Sequence, residues 1–95
     1  DSHIIQPHYH KDCERVISGT AEFLIVLKGT LRCSFADVES NLPRAKQVEI
    51  NEGDSVLILR GVHGFKTIGE TRLLEIKQGP YFNENDKVRI NDSSL

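Results

Sequence analysis

His8 and His10, in the run PHYH, and His63, in GDSVLILRGVH, are three of the four histidines in this chain, and their types and order suit a metal centre. Successive side chains on a β-strand point to opposite faces, so His8 and His10 share one face and both imidazoles can reach one ion, with Tyr9 turned away. Glu22, at the head of the apolar run EFLIVLKG, can add a carboxylate, and His63, about forty residues further on, a third imidazole. Three neutral imidazoles and one carboxylate suit Fe, Mn, Ni, Co, Cu or Zn, and an octahedral ion so held keeps two positions for water or substrate. Taken singly, each residue has a plainer reading: a surface His-x-His pair, a charged strand start, a satisfied core or loop histidine. The ordered combination on expected strands is what points to a metal. His3 falls outside the pattern and reads as solvated surface.

Positioning these residues calls for strands. The structured segments are short, apolar or alternating, and separated by turn residues at intervals typical of an all-β sandwich or barrel; no amphipathic helix competes. IIQPHYH is expected as a first strand, with Pro7 placing it at an edge, and KDCERVISGT as a loop with some strand in RVI. EFLIVLKG is apolar on both faces, as in a strand buried between two sheets, and Lys28-Gly29 is expected to turn the chain into TLRCSFAD. Leu31, Cys33 and Phe35 then form one face. VESNLPRA is the longest expected loop, KQVEI a strand, NEGD a tight turn with Gly53 at positive φ, and SVLILR a buried strand. Glycines on both sides of His63 let the backbone approach a ligand. HGFKTI and TRLLEIKQ are expected to pair across Gly69-Glu70, with GPYFNENDKVRI as a C-terminal arm and NDSSL as a frayed end.

Ninety-five residues make one domain and are too few for two. A net charge of −2 with no basic cluster gives no electrostatic footprint for nucleic acid or an anionic membrane. The longest apolar stretch, FLIVL, is far below the roughly 20 residues that span a bilayer, so a soluble, cytoplasmic protein is expected. Cys13 and Cys33 have no CxxC spacing, which fits a reduced compartment, with Cys33 packing as a small apolar residue. The chain has no methionine, so it is expected to be part of a longer product, with one or two N-terminal strands missing.

The spacing His8-x-His10, then Glu22 with six residues before Gly29, then Gly53-Asp54 leading to His63, resembles the two motifs of the cupin superfamily. ERVISGTAEFLIVLKG and LLEIKQGPYFNENDK look more specifically like small single-domain, RmlC-like cupins of the type encoded among polysaccharide and nucleotide-sugar genes. The likeness covers roughly residues 5 to 90. It implies a double-stranded β-helix, the jelly-roll barrel, with a divalent transition metal in its mouth held by His8, His10, Glu22 and His63. The pattern departs from the family's in three places. Eleven residues separate His10 from Glu22, where the family has three or four. Glu14 meets the shorter spacing, but only Glu22 has the six-residue gap to glycine. Leu59 replaces the second motif's proline, and the step from Gly61 to His63 is one residue short.

These features lead to an expected metal-dependent enzyme acting on a small carbohydrate or related polyhydroxy or keto compound, with sugar isomerisation as one form of that activity. Arg32, Glu75, Lys77 and Tyr81 are the candidates to line its pocket, though an exposed strand face explains Glu75 and Lys77 equally well, and no catalytic residue is assigned. The alternatives are a non-catalytic carbohydrate-binding or sensing module and an iron-dependent oxygenase. With His3 the only other histidine, nothing resembles the His-Asp acid/base pair of the epimerases sharing this fold. The resemblance also implies a homodimer.

Overall fold

The computed structural model describes residues 2–37, 46–82 and 87–90. Among these residues are four strands and no helix: β1 Glu22–Ala36, β2 Lys46–Asn51, β3 Ser55–Ile58 and β4 Val62–Lys77. The all-β expectation therefore holds, in the form of one antiparallel sheet that does not close on itself. With no helix among the described residues, none crosses a membrane.

β1 is the spine. β2 and β3 lie end to end along one of its edges, with Leu31 opposite Ile50 and Leu24 opposite Val56. β4 runs along the other edge, from Glu22 opposite Lys77 to Ala36 opposite Val62. The β-branched and aromatic residues of EFLIVL explain why β1 begins as a strand. Its burial alternates: Glu22, Leu24 and Val26 are buried, and Phe23 and Ile25 half-buried. Between them, the Gly53 amide donates to the Val26 carbonyl and the Val26 amide to the Asp54 carbonyl, so the NEGD turn stays attached to β1. Gly53 has φ +88, as expected, and the Asn51 amide donates to the Asp54 carboxylate.

Two expected hairpins are absent. Lys28-Gly29 and Gly69-Glu70 do not reverse the chain; they are irregularities inside the long strands β1 and β4, where the register shifts between Val26 and Thr30. The buried side of β1 changes phase there, from Leu24 and Val26 to Leu31 and Cys33, the result an inserted bulge residue must give. With the NEGD turn at the same level, all three lines of the sheet bend together.

The bend folds the sheet back on itself. A straight strand from Glu22 to Phe35 would measure about 40 Å at roughly 3.3 Å per residue. His63 lies opposite Phe35, yet its Nε2 is 2.9 Å from Glu22 Oε2. The two halves thus face each other across one core of Leu24, Val26, Leu31, Cys33 and Ile58, with Phe35, Ile50, Val56 and Leu73 packed against it. The burial on both faces expected for EFLIVL is not found among the described residues: the core covers the face of Leu24 and Val26, while Phe23 and Ile25 are half-buried on the other face and Leu27 is exposed. Burial pushes the Cys33 thiol above its ordinary pKa, consistent with a packing role, whereas Cys13 is exposed and both are free.

The expected first strand is also absent. Residues 2–20 carry no strand, RVI included, and residues 2–19 are exposed. Pro7 donates nothing to a ladder, and the segment pairs with none of the described strands. SVLILR is a strand only to Ile58, and the described part of the C-terminal arm has no regular structure. The expected loop VESNLPRA and the end NDSSL lie outside the described residues.

Candidate functional site

Folding the sheet brings three side chains from its far ends to one place. Glu22 opens β1, Lys77 ends β4 directly opposite it, and His63 begins β4 at the other extremity. Glu22 Oε2 is 2.9 Å from His63 Nε2, and Glu22 Oε1 is 2.9 Å from Lys77 Nζ. Lys77 also reaches Glu75 at 3.4 Å. The Glu22 side chain is only 10% exposed, whereas those of His63 and Lys77 are each 31% exposed, so the carboxylate is the inner member and the two bases form its rim. The hydrogen bond to Glu22 is the main cause holding Lys77 above the ordinary lysine pKa.

The imidazole is fixed from behind. His63 Nδ1 is 3.0 Å from the Gly61 carbonyl, an acceptor, so Nδ1 carries the proton in that contact and Nε2 is the nitrogen turned to Glu22. Gly61 has φ +97, and a Cβ there would stand 3.2 Å from the Ala36 carbonyl, so glycine suits the position that presents this oxygen.

Two donors in adjacent positions of one ion, with bonds of roughly 2.1 Å, stand about 3 Å apart. Oε2 and Nε2 have that separation, and each belongs to a group whose other donor atom is anchored elsewhere, Nδ1 by Gly61 and Oε1 by Lys77. This pair fits half of a metal site. His8 and His10 make another pair, with ring centroids 5.2 Å apart and His8 Nδ1 2.8 Å from the Gln6 carbonyl. They do so on the exposed N-terminal segment, not on a strand. The structure does not gather all four: among the described residues, no three of His, Cys, Asp or Glu come together as a metal-holding group.

Of the expected pocket residues, Lys77 and Glu75 join the cluster. Arg32 lies on the opposite face of the sheet from Cys33, paired with Glu49 at 2.9 Å, and Tyr81 is exposed beyond β4. Sequence reasoning missed the Gly61 carbonyl as an orienting group, although the glycine two residues before the histidine was visible. A shallow hollow of about 210 Å³ lies on the outer face, floored by Phe23, Leu57 and Ile76, which are cross-strand partners and point away from the Glu22 side. Its lining is mostly apolar, and Glu22 and Lys77 of the cluster also border it, whereas His63 does not.

No protein-family model, curated protein or solved structure matches this chain.

Proposed function

We propose that this chain is a metal-binding cupin-type protein acting on a small carbohydrate or related polyhydroxy or keto compound, with Glu22 and His63 as the built half of the metal site. One observation carries the reading: Oε2 and Nε2 are 2.9 Å apart, each on a group anchored through its other end. Anchoring of this kind orients metal ligands and sets which nitrogen is presented. His8 and His10 supply the other half from the N-terminal segment, and the eleven residues between His10 and Glu22 give it ample reach. The folded sheet is the portion of a jelly-roll barrel that holds β1 and β4, and the segment carrying His8 closes its mouth. The carbohydrate class rests on the resemblance of the sequence motifs.

A divalent ion held there would supply Lewis acidity toward a substrate oxygen. The chain's own residues have separate tasks. Glu22 and His63 bind, Gly61 fixes the imidazole, and Glu75, about half exposed beside Lys77, is the carboxylate placed to meet a substrate proton. The non-catalytic binding module remains a second reading, favoured by a specific observation: Glu22, His63 and Lys77 are all engaged with one another or with backbone.

Calorimetric titration of chelator-treated protein with Co²⁺ tests the metal reading. Wild type is expected to bind one ion per chain, with affinity reduced more than about tenfold in His63→Ala and in the His8→Ala/His10→Ala double variant. Unchanged affinity in His63→Ala overturns the assignment; loss in His63→Ala alone removes the N-terminal pair from it. Bound metal with no turnover of any sugar or keto acid, but retained sugar affinity, selects the binding module.

The reading includes a homodimer. Leu57, Leu74 and Ile76 are exposed on the outer face of the sheet beside half-buried Phe23 and Ile25, and a second copy would cover this apolar row. Light scattering is expected to give twice the chain mass, and a monomer at micromolar concentration removes the dimer.

A further inference from the structure

Ile4 and Ile5 stand outside the sheet, 80% and 75% exposed, so neither is seated on an apolar surface of its own chain. They belong to a stretch of distinct composition. Residues 2–10 contain no Lys, Arg, Asp or Glu, whereas Lys11, Asp12, Glu14 and Arg15 follow at once, so a charged stretch separates an uncharged one from β1. The chain is also extended: its Cα radius of gyration is 16.7 Å, against about 12 Å for a compact domain of this length, as segments reaching beyond the sheet require. The outer face of the sheet is divided in a matching way. Phe23, Leu57 and Ile76 form one apolar row across β3, β1 and β4, and Ile25 and Leu74 continue it. Past the bend the same face is polar, with Arg32 between Glu49 and Lys66. The hollow of about 210 Å³ lies on the apolar part.

We infer that residues 2–6 of one copy lie over the apolar rows of a second copy, with an isoleucine seated in its hollow, and that this exchange holds the dimer. The inference deepens the homodimer reading given above and rests on it. Neighbouring side chains of extended backbone point to opposite sides, so one of Ile4 and Ile5 enters the hollow and the other is left for the outer face of the first copy. Two-fold symmetry makes the contact twice. The uncharged stretch matches the apolar part of the face, which takes it without burying an unpaired charge, whereas the polar part beyond the bend does not suit it. The half-buried Phe23 and the exposed Leu57 and Ile76 are then covered by chain that has no apolar seat on its own copy.

Mixed samples test the exchange. A Ser2→Cys/Cys13→Ser chain bearing a nitroxide at position 2 is mixed with ¹⁵N-labelled Cys13→Ser chain, so that broadened amide signals report contacts between copies only. The amides of Phe23, Leu57 and Ile76 are expected to broaden more than those of Arg32, Glu49 and Lys66. Ile4→Asp/Ile5→Asp in the nitroxide chain is expected to remove the broadening, and in both chains to weaken dimerisation at least about tenfold in sedimentation. Its circular dichroism should match wild type, because neither side chain belongs to the core. Ile4→Ser/Ile5→Ser serves if the aspartate variant does not fold. Broadening seen only when nitroxide and ¹⁵N share one chain places the stretch on its own sheet and overturns the inference. So does a dimer as tight in Ile4→Asp/Ile5→Asp as in wild type. Either result, in a protein that dimerises, leaves the homodimer reading standing; a wild-type monomer at micromolar concentration removes both.

Discussion

Replacing Gly29 by alanine is expected to unfold the protein or to destabilise it by about 3 kcal/mol or more, while the same change at Gly53 costs about 1–2 kcal/mol. The two glycines have nearly the same backbone conformation, φ +87 and +88, so the strain of placing an L side chain at positive φ is common to both. Their surroundings differ. A Cβ at Gly53 meets nothing within 4 Å, but at Gly29 it would stand 2.3 Å from the Glu70 carbonyl oxygen and 3.0 Å from the Thr71 Cα. Both obstacles are backbone of β4, so no side-chain rotation relieves them. β1 and β4 would have to separate where the sheet bends, taking with them the Thr71 hydroxyl that donates to the Thr30 carbonyl at 3.2 Å. Thermal melts followed by circular dichroism compare the variants. For a chain of this size roughly 4–8 °C accompanies each kcal/mol, so Gly53→Ala should lose up to about 15 °C and Gly29→Ala more. Equal losses would mean that the close approach of the strands contributes nothing.

The role of Gly29 also marks where local sequence stopped being informative. Lys28-Gly29 and Gly69-Glu70 have the composition of tight turns, and positive-φ glycine serves a two-residue hairpin and a bulge alike. What separates the two is which strand lies across from the glycine, a non-local fact that a window of ten residues does not contain. NEGD was legible because the Asn51 and Asp54 contacts that form the turn are local. The burial of Leu31 and Cys33 was legible for the same reason, since alternation survives wherever a strand is half covered. IIQPHYH shows the reverse failure: apolar residues and a His-x-His spacing suit a strand, but a strand also needs a partner, and this segment pairs with none of the described strands.

The candidate site divides along the same line. Residue type singled out Glu22 and His63, and alternation placed Glu75 and Lys77 on one face of β4. That Lys77 stands opposite Glu22, and that the far end of β4 returns to both, depends on register and on the fold of the sheet. Both are set by pairings between residues far apart in the chain.

Glu22 ties these levels together, and two substitutions there separate its roles. Glu22→Ala removes a carboxylate that joins opposite ends of the folded sheet, leaving His63 Nε2 and Lys77 Nζ without that partner. Because both bases are about one-third exposed, water compensates much of the loss, and the expected destabilisation is about 1–2 kcal/mol, not the larger value of a fully buried pair. Glu22→Gln keeps the shape and an oxygen for Lys77, so its neutral-pH stability should lie between that of Glu22→Ala and wild type. If the proposed metal reading holds, its cobalt affinity should nevertheless fall as far as that of Glu22→Ala, more than about 100-fold, since an amide brings no charge to the ion. A pH series adds an independent check. Lys77 is held above the ordinary lysine value of 10.5 chiefly by its hydrogen bond to Glu22. A lysine raised in this way stabilises the fold at pH values below its unfolded-state pKa, and that contribution disappears as the pH climbs through the folded-state one. Wild type should therefore lose stability more steeply than Glu22→Gln above pH 10.5. Parallel melting curves for the two proteins across that range would show that the carboxylate does not hold the ammonium, and cobalt affinity retained in Glu22→Gln would take Glu22 out of the metal site.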